Sequence, residues 1–229
     1  MTFLGPEEWA AVALSLRVAA VATLASLPLG LLVAHALARW RFPGRAALNA
    51  LVHLPLILPP VVTGYLLLLA FGPRAPLGAG LEALGLPLAF RWTGAALASA
   101  IMAFPLMVRA MRLSIEAVDP GLEAAAATLG ASRARVFLTV TLPLALPGVL
   151  AGAVLAFAKA MGEFGATITF VSNIPGETRT IPSAIWAFLQ SPGGDGAALR
   201  LVAVSIGVAV AALALSEWLA QRLARRGSA

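Results

Sequence analysis

The chain has 229 residues, of which 60% are hydrophobic and 11% charged, and its mean hydropathy is +0.92. That balance excludes a soluble enzyme, whose water-facing surface needs far more polar side chains. The absence of cysteine and the presence of only two separated histidines exclude a disulfide framework and a Cys/His metal site, and the net charge of +6 is accounted for by the placement of arginines along apolar segments, with no nucleic-acid partner implied.

At about 20 residues per helical crossing the length allows at most about eight spans. Charge-poor runs predict five, near 11–38, 48–72, 92–113, 144–171 and 199–220. The runs are continuously apolar and rich in Ala and Leu, without the period-two alternation of barrel strands, so the fold class is all-α, a polytopic membrane protein. A single transmembrane domain over 1–229, with its core at about 11–220, is expected; there is no internal repeat at a fixed period.

The first run lacks a basic leader and a small-residue cleavage site, and is read as a retained span. Arg17 near its outer end is an interface anchor, as is Arg200 on the fifth span, while His35 and His53 are packing or interface residues near the inner ends. Between spans one and two stand Arg39, Arg41 and Arg45; between three and four, Arg109, Arg112, Arg133 and Arg135; after span five, Arg222, Arg225 and Arg226. Ten of the 16 basic residues thus collect on one side, which predicts that side to be cytoplasmic, with the N-terminus outside and the C-terminus inside.

Span two carries Pro55, Pro59 and Pro60, which must kink or unwind it. The carbonyls so freed need protein or a water-filled path, and Thr63 and Gly64 follow directly, so Pro59, Pro60, Thr63 and Gly64 are candidate pathway residues. The competing reading gives Gly64 to tight helix packing. In span four Lys159 and Glu163 are four apart, share a face and can pair. Charges at membrane depth face an interior or a cavity, so the pair is a candidate gate, with Thr167 and Asn173 beyond it as neutral donors that suit passage of an oxyanion. The uncharged stretch 180–194, with Pro182 and Pro192, is too short to cross and is expected as an external helix on or dipping into the membrane surface.

Residues 114–143 form a cytoplasmic loop with its own folding signals. Asp119 caps a helix with Pro120 in its first position, Ala124, Ala125 and Ala126 propagate it, Gly130 stops it in a left-handed turn, and Ser132 caps a second helix that runs to Leu142 and Pro143. Such a projecting element buries little of itself and is expected to pack on another protein. Its pattern of Ala124-Ala125-Ala126, three residues, Gly130, nine residues, then Val140, Leu142 and Pro143 resembles the EAA loop of ABC importer permeases of type I, with Glu123 one place before the usual glutamate and Val140 in place of isoleucine.

The segments at 42–68, 104–119, 162–185 and 216–220 narrow this to a resemblance to the molybdate transporter permease family. The resemblance implies a homodimer, two cytoplasmic ATPase subunits docked on the loop, an external binding protein that delivers the oxyanion, and surrounding membrane lipid. No G-x-x-x-x-G-K-[ST] phosphate loop is present, so no catalytic residue, cofactor or metal is expected in this chain, and ATP would be used by the partner. Tungstate, sulfate or another oxyanion is the nearest alternative cargo. An ion-coupled secondary transporter would ordinarily show repeated halves, and an intramembrane hydrolase would need a nucleophile beside a positioned base.

Overall fold

A computed structural model describes residues 3–227, without the side chains of 216, 219–221 and 223–227, and its described secondary structure is entirely helical. Of the arginines placed after the fifth span, Arg225 and Arg226 therefore fall outside the described side chains.

α1 (Pro6–Arg39) is 34 residues long, a rise of about 51 Å, so both of its ends clear a hydrocarbon core about 30 Å thick. α2 (Arg45–Ile57) and α3 (Pro60–Phe71) meet at a bend of 114°. Pro59 and Pro60 push the residue before each into extended backbone, which is where Leu58 sits at φ −70°, ψ 140°. The two halves nevertheless progress along the bundle. Val52 of α2 packs with Leu37 and Met111 at one end, whereas Leu67 of α3 packs with Val18 and Phe170 toward the other. Together they make one broken span, so the number of crossings is five when the bent pair counts as one.

After the short α4 (Pro76–Ala83), α5 (Trp92–Glu116) runs through the middle of the bundle and is its most buried span. α6 (Pro120–Thr128) and α7 (Arg133–Val136) follow, and a π turn at Phe137–Thr141 joins α7 directly to α8 (Leu142–Met161). The second helix of the cytoplasmic loop is thus the first turns of the fourth span, continuous with it. Pro143 permits this continuity: it has no N–H to return to Thr139, and its ring crowds that carbonyl, so the turn widens until the Leu142 amide bonds to Phe137 O.

α8 crosses α5 at very short range. A Cβ on Gly148 would lie 2.1 Å from Ser114 Cβ, and one on Gly152 would lie 3.0 Å from Met107 O. Small residues four apart let the two backbones meet, the usual device where no hydrophobic force draws helices together in lipid. The span expected over 144–171 is not continuous: α8 ends at Met161 and α9 (Gly165–Val171) begins after a break at 162–164. α10 (Ile181–Leu189), in the stretch 180–194 expected as an external helix on or dipping into the membrane surface, is packed into the bundle beside the start of α1. It buries Ile181, Ser183 and Ala184 between α1 and α11, with the Ile181 amide donating to Ser15 Oγ at 2.7 Å. α11 (Asp195–Gly227) is peripheral, with Leu199, Ile206, Val210 and Leu213 exposed, a surface suited to lipid.

The bundle has two distinguishable ends. α6, α7 and the turn between them form a knob at one end of the bundle, beside Arg39, Arg45 and Arg112, and Arg17, Arg91, Arg179 and Arg200 mark the far end. At the far end Arg200 Nε bonds to the buried Glu8 at 2.9 Å, which pins the start of α11 to the start of α1. Arg17 does more than anchor, since its guanidinium lies 3.6 Å over the Trp92 ring.

Candidate functional site

The knob forms where its local chemistry dictates. Asp119 accepts a hydrogen bond from the Gly121 amide at 2.8 Å, Pro120 occupies the first turn of α6, Gly130 turns left-handed at φ +84°, and Ser132 Oγ accepts from the Arg135 amide at 3.4 Å. α6 buries none of its residues; Ala124 and Ala125 are exposed and Ala126 is half-buried. Leu122 and Leu129 are 49% and 89% exposed on either flank of this small-residue face. An apolar helix held out in this way is a surface for a protein partner.

Glu123 does not share that outward surface. Its carboxylate pairs with Arg39 Nε at 3.2 Å and accepts from Thr141 Oγ1 at 2.7 Å. Arg39 in turn donates to Val118 O at 2.7 Å. One glutamate therefore ties α6 to the end of α1 and to the π turn, so the knob is braced against two spans. Val140, Leu142 and Pro143 lie in and after that π turn; Leu142 packs on the knob-end core, and none of the three joins the exposed face of α6. Arg39 and Thr141 were absent from the sequence-derived set, since 84 and 18 positions separate them from Glu123 and no local pattern marks such a contact.

The second constellation gathers at the two helix breaks. α3 and α9 cross so closely that a Cβ on Gly64 would sit 2.4 Å from Ala166 O, and one on Gly165 would sit 2.7 Å from Pro60 Cβ. Gly64 thus serves packing. Pro59 and Pro60 are exposed, and Thr63 is buried with an Oγ1 that has no hydrogen-bond partner among the described residues. Lys159 Nζ meets Glu163 Oε2 at 2.6 Å, and Glu163 Oε1 accepts from the Ala166 amide at 3.0 Å, so one carboxylate neutralises the lysine and caps α9. Thr167 donates to Phe164 O at 2.9 Å, and the Asn173 amide donates to Ser183 O at 3.4 Å while its oxygen accepts from Arg179. The structure brings Pro60, Thr63, Gly64, Glu163 and Thr167 to one crossing and places Asn173 beyond it, toward α10. No group of three or more His, Cys, Asp or Glu that could hold a metal ion occurs among the described residues.

A chain from the crystal structure of a bacterial ABC transporter involved in importing the acidic polysaccharide alginate superposes at TM-score 0.75, covering 96% of this chain and 81% of that one at 19% identity. A second, from the alginate transporter in complex with its pentasaccharide-bound periplasmic protein, superposes at TM-score 0.72, covering 98% and 80% at 20% identity. The fold is that of an ABC importer permease. The family of binding-protein-dependent transport system inner membrane components matches residues 26–225, and the chain belongs to it. It is 59% identical over 215 residues to the molybdenum transport system permease protein ModB of Escherichia coli K12, covering 93% of this chain and 94% of the relative. The ModB of Haemophilus influenzae is 54% identical over 220 residues, 96% of both chains.

Proposed function

We propose that this chain is the transmembrane subunit of an ATP-driven importer that carries molybdate across the bacterial cytoplasmic membrane. The observation that carries the reading is the braced, exposed knob. A helix with no fully buried residue, yet fixed to α1 and α8 through Glu123, can receive a push from a partner and pass it to two spans as a unit. Two ATPase subunits would seat Leu122, Ala124, Ala125 and Leu129 and supply the energy; the chain itself would bind no cofactor. In this reading, which the arginine excess supports, the knob end is cytoplasmic, the N-terminus is outside and the far end is left to a binding protein.

Two copies of the chain would enclose the path, with the break at Pro59–Pro60 and the Thr63 hydroxyl lining it and the Lys159–Glu163 pair behind it, bracing the bend. Glu163, already bonded to a lysine and a backbone amide, positions the gate and does not meet the dianion. ATP-dependent uptake of labelled molybdate by proteoliposomes holding the chain, its ATPase and its binding protein tests the reading, with competition by tungstate, an ion of nearly the same size and charge. Uptake that follows an ion gradient and ignores ATP would overturn it.

A further inference from the structure

Where the last turns of α1 meet α6 and the start of the α7–α8 rod, a cavity of about 590 Å³ opens at the knob end. Its wall carries Arg39, Arg41 and Arg133 against the single carboxylate of Glu123. Glu123 is committed to Arg39. Arg41 and Arg133 are exposed, and their side chains have no hydrogen-bond or ion-pair partner among the described residues. An apolar cavity of about 450 Å³ adjoins the first, lined by Pro28, Leu31 and Leu32 of α1 and by Phe137 of the π turn.

His35 stands where the two cavities join and lines both. Its ring meets Trp40 edge-on at 5.9 Å and Phe137 at 4.6 Å, and its Nδ1 is buried without a partner among the described residues. A buried polar atom left unpaired is costly and calls for a ligand. From Pro28 to His35 the helix rises about 10 Å, most of the roughly 15 Å depth of one hydrocarbon leaflet.

We propose that the joined cavities are a binding site for a phospholipid with an anionic headgroup, its phosphate held by Arg41 and Arg133 and one acyl chain laid against Leu31, Leu32 and Phe137. The charge selects an anion, since planar guanidinium groups grip phosphate well, and the groove selects a chain. A free anion gains nothing from the groove, and a zwitterionic lipid brings its own cation up to the two unpaired arginines. The Arg39–Glu123 contact lines the same cavity, so an occupied site stiffens the attachment of the knob to α1.

Native mass spectrometry of the whole chain, delipidated in detergent and offered phosphatidylglycerol or phosphatidylcholine of one chain length, tests the site. One phosphatidylglycerol is expected to bind per chain, about thirtyfold tighter than phosphatidylcholine, the order two interfacial arginines supply. The exposed pair Arg41→Ala/Arg133→Ala should erase that preference, Leu31→Trp should weaken both lipids by filling the groove, and Arg91→Ala at the far end should change neither. Undiminished phosphatidylglycerol preference in Arg41→Ala/Arg133→Ala would overturn the proposal. So would displacement of the lipid by glycerol 3-phosphate, which assigns the cavity to a soluble anion. In the complex with the ATPase, shielding of both arginines from phenylglyoxal after complete delipidation would assign it to the protein partner and overturn the proposal as well.

Discussion

Arg39 and Glu123, 84 positions apart, meet at 3.2 Å and fasten the knob to the first span. Glu123→Ala removes that ion pair and the bond from Thr141, while Arg39 keeps Val118 O. The expected loss of stability is about 1–2 kcal/mol, a fall of a few degrees in melting temperature for a chain of this size. Transport should suffer more, because the loosened knob no longer moves α1 and α8 together. Glu123→Gln, which keeps an acceptor for Thr141, should fall between. Wild-type uptake by Glu123→Ala would show that the brace plays no part in coupling.

The α3–α9 crossing makes a sharper demand on volume. Gly64→Ala places a methyl group 2.4 Å from the Ala166 carbonyl, a backbone atom that cannot swing aside, and should cost about 1–3 kcal/mol. Gly80→Ala, on α4, meets nothing within 4 Å and should be neutral or stabilising by up to about 1 kcal/mol through helix propensity. Tryptophan-monitored melting in detergent separates the two. Equal melting temperatures would mean that the crossing is looser than drawn.

The Lys159–Glu163 pair is unequal in burial, with side chains 32% and 1% exposed. Lys159→Met leaves a carboxylate uncompensated inside the bundle, whereas Glu163→Gln leaves a lysine with a route to water and preserves an acceptor for the Ala166 amide. Lys159→Met should therefore be the more damaging, by about 3 kcal/mol or more against about 1–2 kcal/mol, and the double variant should recover most of the loss. Additive losses in that double-mutant cycle would deny the coupling.

Orientation is open to direct labelling, because the chain contains no cysteine. Single cysteines at exposed Arg133 and exposed Ser191 should react with a membrane-impermeant maleimide from opposite sides, Arg133→Cys only in inverted vesicles and Ser191→Cys only in intact cells. Labelling of both from one side would contradict the arrangement of spans drawn from the arginine excess.

The knob was legible in the sequence because every signal in it is local: a cap, a proline, a left-handed glycine and a second cap within 14 residues, from Asp119 to Ser132. The break at Pro59–Pro60 was legible for the same reason, since proline acts on its own neighbours. The break at 162–164 was not, because an Ala-rich run reads as continuous and the chain turns there to seat Gly165 against Pro60 and to let Glu163 cap α9. Equally hidden was the place of α10, which rests on the Ser15–Ile181 bond across 166 positions. Thr167 and Asn173 were read as donors for a passing oxyanion; Thr167 spends its hydroxyl hydrogen on Phe164 O, and Asn173 gives one of its two amide hydrogens to Ser183 O. Residue type announces what a group can bond to, and only the fold decides whether the bond is already made.

Gly130 offers the cleanest separation of backbone strain from contact. Nothing lies within 4 Å of the position a Cβ would take, so a substitution there meets no neighbour in the isolated chain, and φ at +84° is its whole difficulty. Asparagine tolerates that region and valine does not, so Gly130→Asn should be nearly silent in melting, whereas Gly130→Val should loosen the turn by about 1–2 kcal/mol. The bulk of the membrane bundle is remote from this turn, and both variants should insert and reach wild-type levels. Docking discriminates further. A side chain at 130 projects from the exposed end of α6, next to Leu129 at 89% exposure, so an ATPase seated on that face meets any added atoms. Gly130→Asn should then weaken co-purification of the ATPase and depress uptake despite its unaltered stability, and Gly130→Asp, with a charge added, should abolish both. Full co-purification and uptake by Gly130→Asp would place the partner elsewhere and leave the knob without its coupling part.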